Sequence, residues 1–270
     1  MATTEEQERT PAIAGPLTSV FDWGHWPLSR GRLAGAACAV AFAVALCAAV
    51  GSLRAMGVFV LLETLLLALP WRLPRTERSA VGFWTETVCG LLGPLGAIAV
   101  AVWNGAAWLR EPGEPAWYVA GAALGGVLLW LGGMNLRALA TGELSFLAGP
   151  TRPAHGYARA TAIIVGPFGE EALYRGTALT AASAVSTPVA LPLGLLAAVA
   201  FVARHHIAPG ANGRDSTRAM GVEVSAAALL LALTLLSHSV WPALLAHLIN
   251  NIPSAVLQIQ CARSGRADTP

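Results

Sequence analysis

The chain has 270 residues, of which 55% are hydrophobic and only 12% charged, with a formal net charge of +2. Soluble domains carry about 25% charged residues, so this balance points to a membrane protein. It also argues against nucleic acid as a partner, because no basic cluster and no RNP, zinc-finger or helix-turn-helix pattern is present.

All 17 basic residues are arginine, which reads as a compositional bias rather than a binding patch. Cys38, Cys47, Cys89 and Cys261 are widely spaced without a CxxC pair, so neither a disulfide framework nor a cysteine zinc site is expected. They read as small apolar helix residues.

Residues 1–30 carry Glu5, Glu6, Glu8, Pro11 and Pro16 without an apolar run. They are expected to form a disordered cytoplasmic tail, with Trp23 and Trp26 at the interface, and do not resemble a cleavable signal peptide. Apolar runs approaching the ~20 residues a bilayer requires follow at 33–52, 55–71, 81–103, 117–136, 160–182, 187–206, 220–237 and 241–259. The expected fold is therefore all-α, a polytopic membrane helix bundle of about eight transmembrane helices. It occupies 31–260 as one domain, with the chemistry-bearing motifs in 166–255 and a short cytoplasmic tail at 261–270. With the N-terminus inside, 14 arginines fall on the cytoplasmic side, Arg54 and Arg110 fall outside, and Arg175 is left within a span. An excess of basic residues in cytoplasmic loops is the usual pattern. The expected localisation is multi-pass in the plasma membrane with both termini cytoplasmic.

Ionisable groups inside a span cost ~2.5–3.5 kcal/mol each on insertion scales and usually mark a functional pathway. Three spans concentrate them. In 160–182, Glu171 and Arg175 lie four apart in the favourable order for pairing, while Glu170 is turned by ~100° and is free to face something else. In 187–206, Phe201 and His205 lie four apart. In 241–259, His247 and Asn251 do the same. A carboxylate, two imidazoles and a carboxamide on three helices suit water activation: the carboxylate takes a proton, the imidazoles hold the water or a metal ion, and the amide N–H stabilises an oxyanion. Each motif alone is equally compatible with an interhelical lock or hydrogen bond. On these spans His205 lies at the cytoplasmic end of its helix and Glu170 ~15 Å into its own, so convergence requires tilted or offset helices and favours a cavity open to the cytoplasm.

In Glu170-Glu171-Ala172-Leu173-Tyr174-Arg175, Phe201 to His205 and His247 to Asn251, the chain resembles the CAAX protease and bacteriocin-processing (Abi) family of intramembrane endopeptidases, which is marked by EExxxR, FxxxH and HxxxN on successive helices. The resemblance covers the C-terminal part of the chain. It implies that Glu170 is the general base that activates water, supported by Glu171 and Arg175, that His205 and His247 position that water, and that Asn251 helps hold the oxyanion. It also implies a peptide or protein substrate, lipidated in the eukaryotic members, met at the lipid bilayer. The family is described both as metalloproteases and as metal-free glutamate enzymes. Glu170, His205 and His247 would be the ligands of Zn2+ or another divalent ion, although no HExxH signature is present.

Other polar residues receive blander readings. His206 adjoins His205 but misses the Phe-to-His spacing and reads as an interface residue. His25, His155 and His238 fall in tail or loop segments and are expected to be solvated. Glu63 and Glu86 each stand alone on a span and are expected to hydrogen-bond a neighbouring helix. Phe201 is expected to shape the pocket wall, and Asn250 lies off the face His247 shares with Asn251. Two rival functions are a non-proteolytic immunity or scaffolding protein of the same fold and a proton-coupled transporter, the latter disfavoured by the lack of internal repeats.

Overall fold

The computed structural model describes residues 30–49, 51–68, 80–144, 153–207 and 217–264. The described residues contain no β-strand. Their helices are α1 (Arg30–Ala49), α2 (Arg54–Ala68), α3 (Ala80–Trp103), α4 (Pro115–Leu131), α5 (Leu136–Ala140), α6 (Pro153–Glu170), α7 (Thr177–Ala184), α8 (Thr187–Ile207), α9 (Thr217–Ser237) and α10 (Trp241–Ser264). A π-helical segment, Glu171–Gly176, joins α6 to α7. The two therefore form one continuous rod over 153–184, and the described residues form nine helices.

The all-α expectation holds, and the apolar runs fall on helices close to their expected bounds. The count of eight spans is not reproduced. Among the described residues, only Thr187–Ile207 and Met220–Ser237 are long and apolar enough to cross a bilayer, while Leu33–Ala49, Gly90–Trp103 and Pro115–Leu131 are apolar but shorter. Of the tail expected over 1–30, residues 1–29 lie outside the described residues and Arg30 opens α1; of the tail expected over 261–270, residues 265–270 lie outside them, and α10 continues to Ser264.

The core is built where α1, α2, α3 and α8 surround the π segment. Phe42, Leu46, Met56, Val60, Ala97, Leu173, Tyr174, Ala197 and Phe201 are all buried in one cluster. A smaller cluster of Leu230, Leu233, Ala243 and Ala246 joins α9 to α10, with Trp117 and Leu124 of α4 packed on it.

α10 runs antiparallel to α6. His247 meets Glu171, Asn251 meets Ile163, and Gly156 lies against Gln258 and Ala262. The start of α10 is fixed by Ser239, whose hydroxyl donates to the Glu111 carbonyl and accepts the Trp241 N–H. Just before it, His238 adopts φ 50° and is exposed as expected. His155 is not: it is buried in the first turn of α6, because that helix begins seven residues earlier than the apolar run suggests.

Candidate active site

The rod bearing Glu170 changes winding where the ionisable residues cluster. α6 ends at Glu170, and all six residues of the following π segment are buried. Single-turn π segments inside α-helices occur often at functional sites. Close helix packing sets their position: Gly169 lies against the backbone of Pro94 in α3, where any Cβ would overlap that proline. Only glycine lets α3 approach the rod this closely, which brings the neighbourhood of α2 and α3 up to Glu170.

Glu171 and Arg175 are each 1% exposed, with Arg175 Nη1 at 3.3 Å from Glu171 Oε1. The expected pairing is present. The guanidinium carbon also stands 4.0 Å from the centroid of the Phe201 ring, a cation–π arrangement of the kind that stabilises desolvated guanidinium groups. The same Glu171 oxygen accepts a hydrogen bond of 2.8 Å from His247 Nδ1. A carboxylate accepting from Nδ1 fixes that nitrogen as the protonated one, so Nε2 is the ring atom turned to other work. It lies 3.6 Å from Glu170 Oε2, beyond hydrogen-bond distance but close enough for a small atom or proton carrier to connect them.

Glu170 is not free, as the sequence suggested it would be. Its Oε1 accepts from Arg204 Nη1 at 2.8 Å. Arg204 in turn donates through Nη2 (2.8 Å) and Nε (3.2 Å) to Glu63 Oε1 on α2. Arg204, one of the arginines counted on the cytoplasmic side, belongs to the last turn of α8, with its side chain only 21% exposed. Its removal from the inside tally leaves the arginine bias standing. Glu63 makes the interhelical contact expected of it, but to a residue of the site. The Glu86 and Cys89 side chains lie outside the described residues.

His205 donates from Nδ1 to the Phe201 carbonyl at 2.9 Å, leaving Nε2 available. Phe201 is the hub of the aromatic contacts. It meets His205 edge-on at 5.0 Å, His247 at 5.9 Å and Tyr174 at 5.6 Å between centroids, and so touches all three motif-bearing helices. His206 turns away and pairs with Glu223 of α9 at 3.0 Å.

Asn251 donates from Nδ2 to the Ile163 carbonyl at 3.3 Å. That carbonyl would ordinarily accept from residue 167, but Pro167 sits inside α6 and has no N–H. Asn251 therefore satisfies a backbone group that proline frees. Asn250 Nδ2 donates weakly to Asn251 Oδ1 at 3.5 Å.

The structure thus brings Glu170, Glu171, Arg175, Phe201 and His247 into one cluster, with His205 at its edge and Asn251 one turn further along α10. The offset that the spans seemed to forbid is resolved by stagger: Arg204, at the end of α8, is level with the middle of the α6–α7 rod. Of the three side chains expected to hold a divalent ion, Glu170 and His247 stand 3.6 Å apart, and His205 keeps Nε2 unengaged at the edge of the cluster. No group of three or more His, Cys, Asp or Glu able to hold a metal occurs among the described residues, and one oxygen of Glu170 already carries Arg204.

Buried carboxylates, imidazoles and arginines from several helices meet in one place, and ionisable groups clustered inside an apolar helix bundle usually mark a functional site. Residues 156–253 match the model of a family described as type II CAAX prenyl endopeptidase Rce1-like, which supports membership of that segment in the CAAX protease and bacteriocin-processing family. Membership implies a peptidase acting on a peptide or protein. The match runs from α6 into α10; α1 to α5 lie outside it. No curated protein and no solved structure matches the chain.

Proposed function

We propose that the chain is an intramembrane endopeptidase in which Glu170 activates a water molecule for attack on a peptide carbonyl. The observation that carries this reading is the position of His247, held at 2.8 Å by Glu171 on one nitrogen and 3.6 Å from Glu170 on the other. Water bound between Glu170 Oε2 and His247 Nε2 gives up a proton to Oε2 as its oxygen bonds to the carbonyl carbon. The π electrons move onto the carbonyl oxygen, forming a tetrahedral intermediate. The C–N bond then breaks, and the leaving nitrogen takes the proton held by Glu170, giving an acid and an amine. His205, through its unengaged Nε2, orients the water. Asn251 has a second amide hydrogen beyond the one given to Ile163, and that hydrogen serves the oxyanion. A divalent ion, if bound, would take Glu170, His205 and His247 and would supply Lewis acidity.

The apolar periphery of the bundle supports a bilayer setting. Leu62, Val102, Trp103, Val119, Trp130, Leu195 and Leu236 are exposed large apolar side chains on α2, α3, α4, α8 and α9, more than water-soluble monomers usually present. We read the protein as multi-pass, with both termini cytoplasmic and eight spans, and the substrate as a peptide or protein that can carry a lipid.

The test is cleavage in proteoliposomes of a panel of prenylated and unprenylated peptides by the wild type and by Glu170→Ala, each with and without a chelator. Loss of cleavage by about 10²–10⁴-fold in Glu170→Ala is expected from removal of a general base. Chelator sensitivity would assign the metal role. Equal cleavage by both proteins would refute the reading.

A further inference from the structure

The geometry points to Glu63 of α2 and Arg204 of α8 as positioning residues for Glu170: Glu63 clamps the Arg204 guanidinium, and Arg204 ties down one oxygen of the Glu170 carboxylate so that the other alone faces His247. This rests on the endopeptidase reading.

The guanidinium is used from two sides. Nε and Nη2 both donate to Glu63 Oε1, at 3.2 and 2.8 Å, and Nη1 donates to Glu170 Oε1 at 2.8 Å. Arginine presents these donors in a rigid planar fork, so fixing two nitrogens on Glu63 fixes the direction of the third. Without Glu63 the long side chain regains its rotamers and Glu170 loses a fixed partner. With it, Glu170 Oε1 is held, and Oε2 points at His247 Nε2, 3.6 Å away. The two oxygens of one carboxylate are thereby assigned different work.

The surroundings are shaped for this contact. Gly93 of α3 faces the pair: a Cβ there would stand 2.5 Å from Glu63 Oε1 and 3.4 Å from Arg204 Nη2. The next residue, Pro94, is the one against which Gly169 packs. One stretch of α3 therefore leaves room for the Glu63 carboxylate and sets the position of the residue preceding Glu170. Glu63, Gly93 and Pro94 all lie outside the matched segment 156–253. The N-terminal helices thus complete a site whose chemical groups lie in the C-terminal half.

The experiment measures kcat and KM for peptide cleavage in proteoliposomes, with thermal unfolding as a folding control. The panel is wild type, Glu63→Gln, Glu63→Ala, Gly93→Ala, Arg204→Gln and the double variant Glu63→Gln/Arg204→Gln. Misplacing a catalytic group by about 1 Å can cost on the order of 100-fold. The expected result is a fall in kcat of about 10- to 100-fold in Glu63→Ala and Gly93→Ala, a smaller fall in Glu63→Gln, which keeps an acceptor oxygen, and little change in KM. Because Glu63 acts through Arg204, Glu63→Gln should cost nothing further once Arg204 is Gln. Gly93→Ala alters no charge and guards against a purely electrostatic explanation. Wild-type kcat in folded Glu63→Ala and Gly93→Ala, or losses that multiply in the double variant, would overturn the positioning role while leaving the endopeptidase reading intact. A wild type that cleaves no peptide would overturn both, a pattern distinct from either of these.

Discussion

Glu171 is the acceptor on which the buried charges converge. One of its oxygens takes the His247 Nδ1–H at 2.8 Å and stands 3.3 Å from Arg175. Removing one partner of a buried ion pair leaves an uncompensated charge and costs about 3–5 kcal/mol. Glu171→Gln should therefore lower stability by about that amount, since Glu171 is the carboxylate in direct contact with Arg175, and should lower cleavage as His247 loses its anchor. Glu170→Gln should behave in the opposite way. Arg204 keeps Glu63 as its partner, so stability changes little while cleavage falls by about 10²–10⁴-fold. Thermal unfolding and kcat measured on the two variants check this: the first should fail mainly by unfolding earlier, the second by losing only activity. The adjacency of the two glutamates hid this division. From spacing alone Glu170 seemed free, because its partner Arg204 is 34 positions away and, next to His205, looked like an ordinary charge at a helix end.

At the scale of elements, the helices were legible because their apolar runs are long, and the runs at 187–206, 220–237 and 241–259 fall within helices α8, α9 and α10. The π winding over Glu171–Gly176 was not, since the Glu171 to Arg175 spacing suits an α-helix equally well. The use of Asn251 was half visible. Pro167 within an apolar run announces a carbonyl at 163 without its N–H, but which side chain fills the gap depends on α10 lying antiparallel to α6. Asn251→Ala should leave the Ile163 carbonyl unsatisfied and cost about 1–3 kcal/mol. Pro167→Ala restores the missing N–H, so the double variant Pro167→Ala/Asn251→Ala should recover much of that stability. Its activity then separates two roles: if Asn251 serves the oxyanion, as proposed, stability returns and cleavage does not. Unfolding curves and kcat on the same preparations give both readings, and recovery of both together would reduce Asn251 to a backbone partner.

For the whole molecule, composition and arginine distribution gave a multi-pass reading that the helix lengths support only in part, because two described helices meet the length and apolarity of a span. The proposed topology makes the turn before α4 non-cytoplasmic and the end of α10 cytoplasmic. In a background with all four native cysteines replaced by Ala, Glu114→Cys should react with a membrane-impermeant maleimide in intact cells, and Arg263→Cys only after permeabilisation. Both side chains are exposed. Labelling of Arg263→Cys in intact cells would reverse the orientation or change the number of crossings.

The central claim is that Glu170 takes a proton from water rather than attacking the peptide itself. Single-turnover cleavage in ¹⁸O-water, with enzyme in excess over peptide, tests it most directly. Mass spectrometry would read both the new C-terminal carboxylate and the peptide containing Glu170. Direct attack by water is expected to place one ¹⁸O in the product in the first turnover and none in Glu170. A product free of label, with ¹⁸O in the Glu170 carboxylate, would contradict the account and make Glu170 a nucleophile.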